Sequence, residues 1–145
     1  MQWQIGIDEA GRGALAGPVC VGAVLYPKDF DWREAFSRIT KKGEPKLRDS
    51  KKLSAQQRGI LYEYITASAR LRHASALVSA ESIDTIGIVN VTHEAAALAL
   101  SGLAVVPEHV KVLLDAGLRV PVKWDQESFI RGDENIPAIS FASII

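Results

Sequence analysis

Apolar positions along this chain follow two different spacings, and the change from one to the other marks the elements. Residues 3–8 (WQIGID) and 18–26 (PVCVGAVLY) are dense in Val, Ile and Leu with small residues between, which predicts two strands. The nine residues joining them, EAGRGALAG, include three glycines, so a tight backbone excursion connects the pair and an antiparallel hairpin is the simplest arrangement. Residues 37–51 read as an exposed loop broken by Gly43 and Pro45. Ser54 and Gln57 then stand at S-x-x-Q spacing, a capping box that opens a helix to about Ala69, with Ile60, Leu61, Tyr64 and Ile65 as its apolar stripe. A strand is predicted at 71–79, a short helical turn after Glu81, and a second helix capped by Asn90 and running to Leu103. Val91, Ala95, Leu98 and Gly102 share one face of that helix. Residues 110–114 (VKVLL) form a short apolar run suited to an interior strand. A hairpin followed by strands alternating with helices predicts a mixed α/β sheet.

Composition narrows this. The 145 residues are 48% hydrophobic and 23% charged, which excludes wholesale disorder and bounds the chain to one domain over 1–145. No run approaches the roughly 18 apolar residues of a membrane span. The N-terminus carries no basic, then apolar, signal pattern, and the single Cys20 forms neither an internal disulfide nor a zinc cluster, so a cytoplasmic location is expected. Ile136–Ile145 (IPAISFASII) is apolar with no polar terminus; because such a surface would face water, the domain is expected to be incomplete at its C-terminal end, which leaves self-association through that end open. Charge is balanced overall at 17 basic and 17 acidic residues, but unevenly distributed. Arg38 to Arg58 holds eight bases against two acids, and Glu81 to the end holds nine acids against four bases.

Two acidic positions stand out. Asp8 ends an apolar strand, where a carboxylate is costly unless something pairs with it, and Glu9 follows at once. Neighbouring side chains on a strand face opposite ways, so both acids converge only if the chain turns there, as Gly11-Arg12-Gly13 would allow. Asp115 repeats the device at the end of the 110–114 run. If both strand ends lie at one sheet edge, Asp8, Glu9 and Asp115 make an all-oxygen cluster whose repulsion a hard cation such as Mg²⁺ or Mn²⁺ relieves, a site suited to phosphodiester chemistry. The alternative is three unrelated strand-end acids. GIDEAGRG (6–13) lacks the lysine and hydroxyl of a nucleotide-binding phosphate loop. His73, His93 and His109 have no metal-ligand spacing, Cys20 reads as core, and Trp3, Trp32 and Trp124 are too scattered for a base-stacking platform. Asp49-Ser50-Lys51-Lys52-Leu53-Ser54 couples basic side chains to a helix start, an arrangement suited to phosphate but weak as a lone motif.

Taken together, IGIDEAGRGALAGPV (5–19), LRDSKKLS (47–54), VLLDAG (112–117) and RGDENIPAISFASII (131–145) resemble the ribonuclease HII family, and the likeness runs the length of the chain. The resemblance implies a ribonuclease H-like α/β fold, with a mixed sheet opened by an antiparallel hairpin. It also implies metal-dependent endonucleolytic cleavage of RNA in RNA–DNA hybrids and at ribonucleotides embedded in duplex DNA, leaving 5′-phosphate and 3′-hydroxyl ends. By position, Asp8, Glu9 and Asp115 resemble three of the family's four metal-binding carboxylates. Gly11, Arg12 and Gly13 match the segment that reads the ribose 2′-hydroxyl, and Ser50, Lys51 and Lys52 match the phosphate-contacting segment.

Ala14 and Ala116 depart from the family's usual proline and glycine. The family's fourth carboxylate follows the block matching Ala142-Ser143-Ile144-Ile145, so a weak or inactive nuclease is expected unless another acid such as Asp133 substitutes. A complete family member would be a monomer. Two rivals follow: a module that binds hybrid without cutting it, and an actin-like or sugar-kinase ATPase, whose later glycine motifs do not occur here.

Overall fold

A computed structural model of the protein describes residues 3–10, 19–38, 54–79, 81, 87–132 and 136–145. Among these residues five strands form one sheet: β1 (Trp3–Ala10), β2 (Val19–Pro27), β3 (Arg72–Val78), β4 (Val110–Asp115) and β5 (Asp125–Phe129), in the spatial order β3-β2-β1-β4-β5. β1 pairs antiparallel with β2 from Trp3↔Pro27 to Ala10↔Cys20, the predicted hairpin pairing, and β3 extends it antiparallel. β4 and β5 add on the other side in parallel. Among the described residues, four helices with full bounds flank the sheet: α1 (Arg33–Ser37), α2 (Ala55–Ala67), α3 (Ile88–Gly102) and α4 (Pro137–Ala142). No helix among the described residues is long and apolar enough to cross a membrane.

Strand alternation divides the apolar residues into two cores. Ile5, Ile7, Val21, Ala23, Val112 and Leu114 face α3 and meet Val91, Ala95 and Ala99. Val24 and Tyr26 face the other way and join Leu61 and Ile65 of α2 with Phe141 and Ala142 of α4. On this second face Trp32 stacks on Phe141 with ring centroids 4.7 Å apart, and Phe36 approaches the same ring at 5.1 Å. The aromatic contacts hold the five-residue α1 in place, which is too short to show a period of its own.

The Ser54–Gln57 capping box forms in both directions, Ser54 Oγ accepting from the Gln57 N–H and Gln57 Oε1 accepting from the Ser54 N–H. Of the predicted stripe, Leu61 and Ile65 are buried, while Ile60 is exposed at the helix rim. α3 begins earlier than expected: Gly87, at φ 86°, occupies the N-cap, and Asn90 lies within the helix. Its buried face is Val91, Ala95, Ala96, Ala99 and Leu100, whereas Leu98 is 51% exposed, because the helix is rotated to set its alanines against the sheet. The C-terminal apolar run is not left facing water. Ala138, Ile139, Phe141 and Ala142 are buried, and the run closes the second core. Cys20 is half-buried rather than core, and burial pushes its thiol pKa up. The predicted 37–51 loop and the turn after Glu81 fall largely outside the described residues.

Tyr26 donates its hydroxyl to Gln4 Oε1 at 2.7 Å from within the second core, and burial raises its pKa far above the ordinary phenol value. Above about pH 10 the unfolded chain releases this proton while the folded chain keeps it, so the contribution is complete below that pH and declines as pH rises further. Tyr26→Phe is expected to cost about 1 kcal/mol at neutral pH through the lost hydrogen bond. It should also flatten the fall of the urea midpoint between neutral pH and pH ~11.

Candidate active site

β1 and β4 lie side by side and run in the same direction, so their C-terminal ends reach the same sheet edge. Their register runs from Trp3↔Val110 to Ile7↔Leu114, which makes Asp8 and Asp115 the next pair. Both belong to the α4 face, because Ile5, Ile7, Val112 and Leu114 occupy the opposite one. Asp8 is 3% exposed, and its Oδ1 accepts the Glu9 N–H at 2.8 Å. Asp115 is half-buried, and its Oδ1 accepts the Gly132 N–H at 2.9 Å. Two carboxylates are thus set side by side just past the last β1–β4 pair by nothing more than strand direction and register.

Glu9 behaves differently from the expectation of a turn at Asp8-Glu9. β1 stays paired through Ala10, so Glu9 keeps the strand alternation and faces the side of Ile5, Ile7 and its partner Val21, with Oε2 buried. Among the described residues no group of three or more His, Cys, Asp or Glu side chains is gathered as a metal site. Gly11, Arg12, Gly13, Ser50, Lys51, Lys52 and Asp133 lie outside the described residues. Of the histidines, His93 Nε2 lies 3.2 Å from the Gly117 carbonyl, and His73 packs edge-on to Tyr62.

One feature of the site was not read from residue patterns. β5 is a short polar strand, DQESF, beside β4. Beyond it the chain turns back, so that Ala116 N–H donates to the Phe129 carbonyl and Gly132 N–H to Asp115. A polar strand has no apolar period to announce it, and the glycine carried meaning only within the longer 131–145 block.

The acid pair fits a hard divalent cation. Carboxylate oxygens are the ligands such ions prefer, adjacent carboxylates repel unless a cation lies between them, and Mg²⁺ is commonly held by one or two carboxylates with water and substrate phosphate completing the shell.

A profile of the family Ribonuclease HII matches residues 5–145. The chain belongs to the ribonuclease HII family. A ribonuclease HII of Geobacillus kaustophilus is 41% identical over 140 residues, covering 97% of this chain and 48% of that protein. This ribonuclease HII family chain therefore spans about half the length of the curated relatives it matches. The ribonuclease H2 of Pyrococcus horikoshii OT3 superposes with a TM-score of 0.73 at 23% identity, over 98% of this chain and 69% of that one. Bst-RNase HIII in complex with Mn²⁺ gives 0.67 at 17% identity, over 99% and 50%. The mixed five-stranded sheet with flanking helices is thus the ribonuclease H-like fold that the sequence resemblance implied.

Proposed function

We propose that this chain carries the catalytic edge of a divalent-metal-dependent endonuclease. Its substrates would be RNA in RNA–DNA hybrids and single ribonucleotides in duplex DNA. The supporting observation is the register that sets Asp8 and Asp115 side by side on one sheet face, in a member of the ribonuclease HII family. Asp8 and Asp115, with Glu9 beside Asp8 in sequence, would hold Mg²⁺ or Mn²⁺; a similarly folded protein, Bst-RNase HIII, is described in complex with Mn²⁺. Such a cation, when bound, makes hydroxide available near neutral pH and stabilises developing charge on oxygen. Gly11, Arg12 and Gly13 would select ribose through its 2′-hydroxyl, and Ser50, Lys51 and Lys52 would hold backbone phosphate. In the reaction, water oxygen joins the phosphorus 5′ to the ribonucleotide and the bond to the upstream 3′ oxygen breaks. That oxygen takes a proton, leaving 3′-hydroxyl and 5′-phosphate ends.

The test is cleavage of an end-labelled DNA duplex containing one ribonucleotide, with Mg²⁺ or Mn²⁺, against chelator and Asp8→Asn. Cutting on the 5′ side of the ribonucleotide that vanishes in both controls is the expected result. Salt-sensitive binding that prefers this duplex to all-DNA, without product, would replace the nuclease reading with a hybrid-binding module. Neither cutting nor binding would overturn both.

A further inference from the structure

Asp115 is held from one side by a turn with an unusual backbone. Arg131 adopts φ 54°, the left-handed region that side chains larger than glycine rarely occupy. The next residue, Gly132, is buried and donates its N–H to Asp115 Oδ1 at 2.9 Å, while its carbonyl accepts from the Ile136 N–H at 2.7 Å. A Cβ at Gly132 would stand 2.7 Å from Ile139 Cδ1 and 3.3 Å from both Asp115 Oδ1 and Phe129 Cβ. Ile139 is fully buried, so that side chain has little room to yield. Among the described residues, Asp115 Oδ2 has no hydrogen-bond donor.

We propose that the Arg131–Gly132 turn is a positioning device for the Asp115 carboxylate. The left-handed Arg131 swings the chain back, and the side-chain-free Gly132 delivers one backbone N–H to Oδ1, so that Oδ2 is the oxygen offered to a cation. Backbone amides suit this role because, unlike a side-chain donor, they have no rotamer freedom and carry no charge that would compete with a metal. Outer hydrogen bonds of this kind set the orientation of a ligating carboxylate, and their loss commonly lowers metal affinity about 10–100-fold. The role in metal binding rests on the nuclease reading above; the hydrogen bond itself does not.

The experiment therefore has two independent readouts on the full chain. In the first, amide hydrogen exchange at Gly132 is followed by ¹⁵N NMR in the protein and in Asp115→Ala. Protection at Gly132 should fall at least about tenfold in Asp115→Ala, as expected for an amide that loses its acceptor. In the second, Mn²⁺ affinity is measured by electron paramagnetic resonance titration. Gly132→Ala should weaken it about tenfold, and Gly132→Ala combined with Ile139→Val, which removes the colliding methyl, should recover most of that loss. Unchanged Gly132 exchange in a folded Asp115→Ala would overturn the proposal. So would a Gly132→Ala protein that melts earlier yet binds Mn²⁺ as before, since that marks packing alone. If the unaltered chain binds no Mn²⁺, the metal reading of the site fails, and the exchange measurement still decides whether the turn holds Asp115.

Discussion

In the metal-dependent cleavage proposed above, Asp115→Asn is expected to reduce the rate by about a thousandfold or more without lowering the stability of the fold. Asparagine has nearly the shape of aspartate, and its Oδ1 can still accept the Gly132 N–H that aspartate accepts at 2.9 Å. What disappears is the negative charge and with it the second anionic donor beside Asp8, and removing charge stabilisation from a reacting centre typically costs two to three orders of magnitude or more. Stability should move the other way. Asp8 and Asp115 occupy neighbouring positions on adjacent strands, one of them 3% exposed, and two carboxylates at that spacing repel when no cation is bound. Without added metal, the melting temperature of Asp115→Asn should equal or exceed that of the unaltered chain by up to a few degrees, as happens where a site is built at the expense of stability. Calorimetry with chelator, beside the cleavage assay, checks both halves. An inactive variant that also melts far earlier would mean that Asp115 is a structural acid rather than part of the site.

The largest stability effect is expected at Gly22. A Cβ there would run into the Ala142 carbonyl oxygen and lie 3.1 Å from Ala142 C and 3.2 Å from Ile145 Cβ. The obstacle is helix backbone, which cannot rotate aside as a side-chain tip can, so α4 would have to lift off the sheet. That would loosen Phe141 and Ala142 from the second core and disturb the stacking of Trp32 on Phe141. Gly22→Ala is expected to cost about 3 kcal/mol or more, lowering the melting temperature by roughly 6–12 °C for a chain of this size. Gly6 meets the same helix, with a Cβ there only 2.5 Å from the Ala138 carbonyl carbon and oxygen. Gly59 is the internal comparison: it lies on the exposed side of α2 with nothing within 4 Å of a Cβ. Gly59→Ala should therefore gain about 0.5–1 kcal/mol from helix propensity alone. Equal responses at Gly22 and Gly59 in urea unfolding would show that α4 does not pack against β2 as closely as described.

Local chemistry was legible in the sequence wherever one short segment contained its own instructions. Val, Ile and Leu density marked β1, β2 and β4, and the Ser54–Gln57 pair marked the start of α2 because both halves of that cap lie within one turn. Asp8 in β1 and Asp115 at the end of β4 were visible for the same reason, as charges placed where an apolar run stops. Resemblance to a family added the expected roles of Asp8, Glu9 and Asp115, and it implied the ribonuclease H-like fold that the five-stranded sheet shows.

Only tertiary structure decided what depends on distant segments meeting. α3 exposes Leu98 and buries Ala96 and Ala99, because the sheet selects which side of an apolar helix it accepts. Ile136–Ile145 reads as a stranded apolar end in sequence, yet its helix fits over Gly6 and Gly22, two positions whose missing side chains matter only once α4 lies across them. Glu9 stays with the opposite face because β1 continues straight through it. The adjacency of Asp8 and Asp115, over a hundred residues apart in the chain, follows from parallel pairing, an interaction that has no local signature.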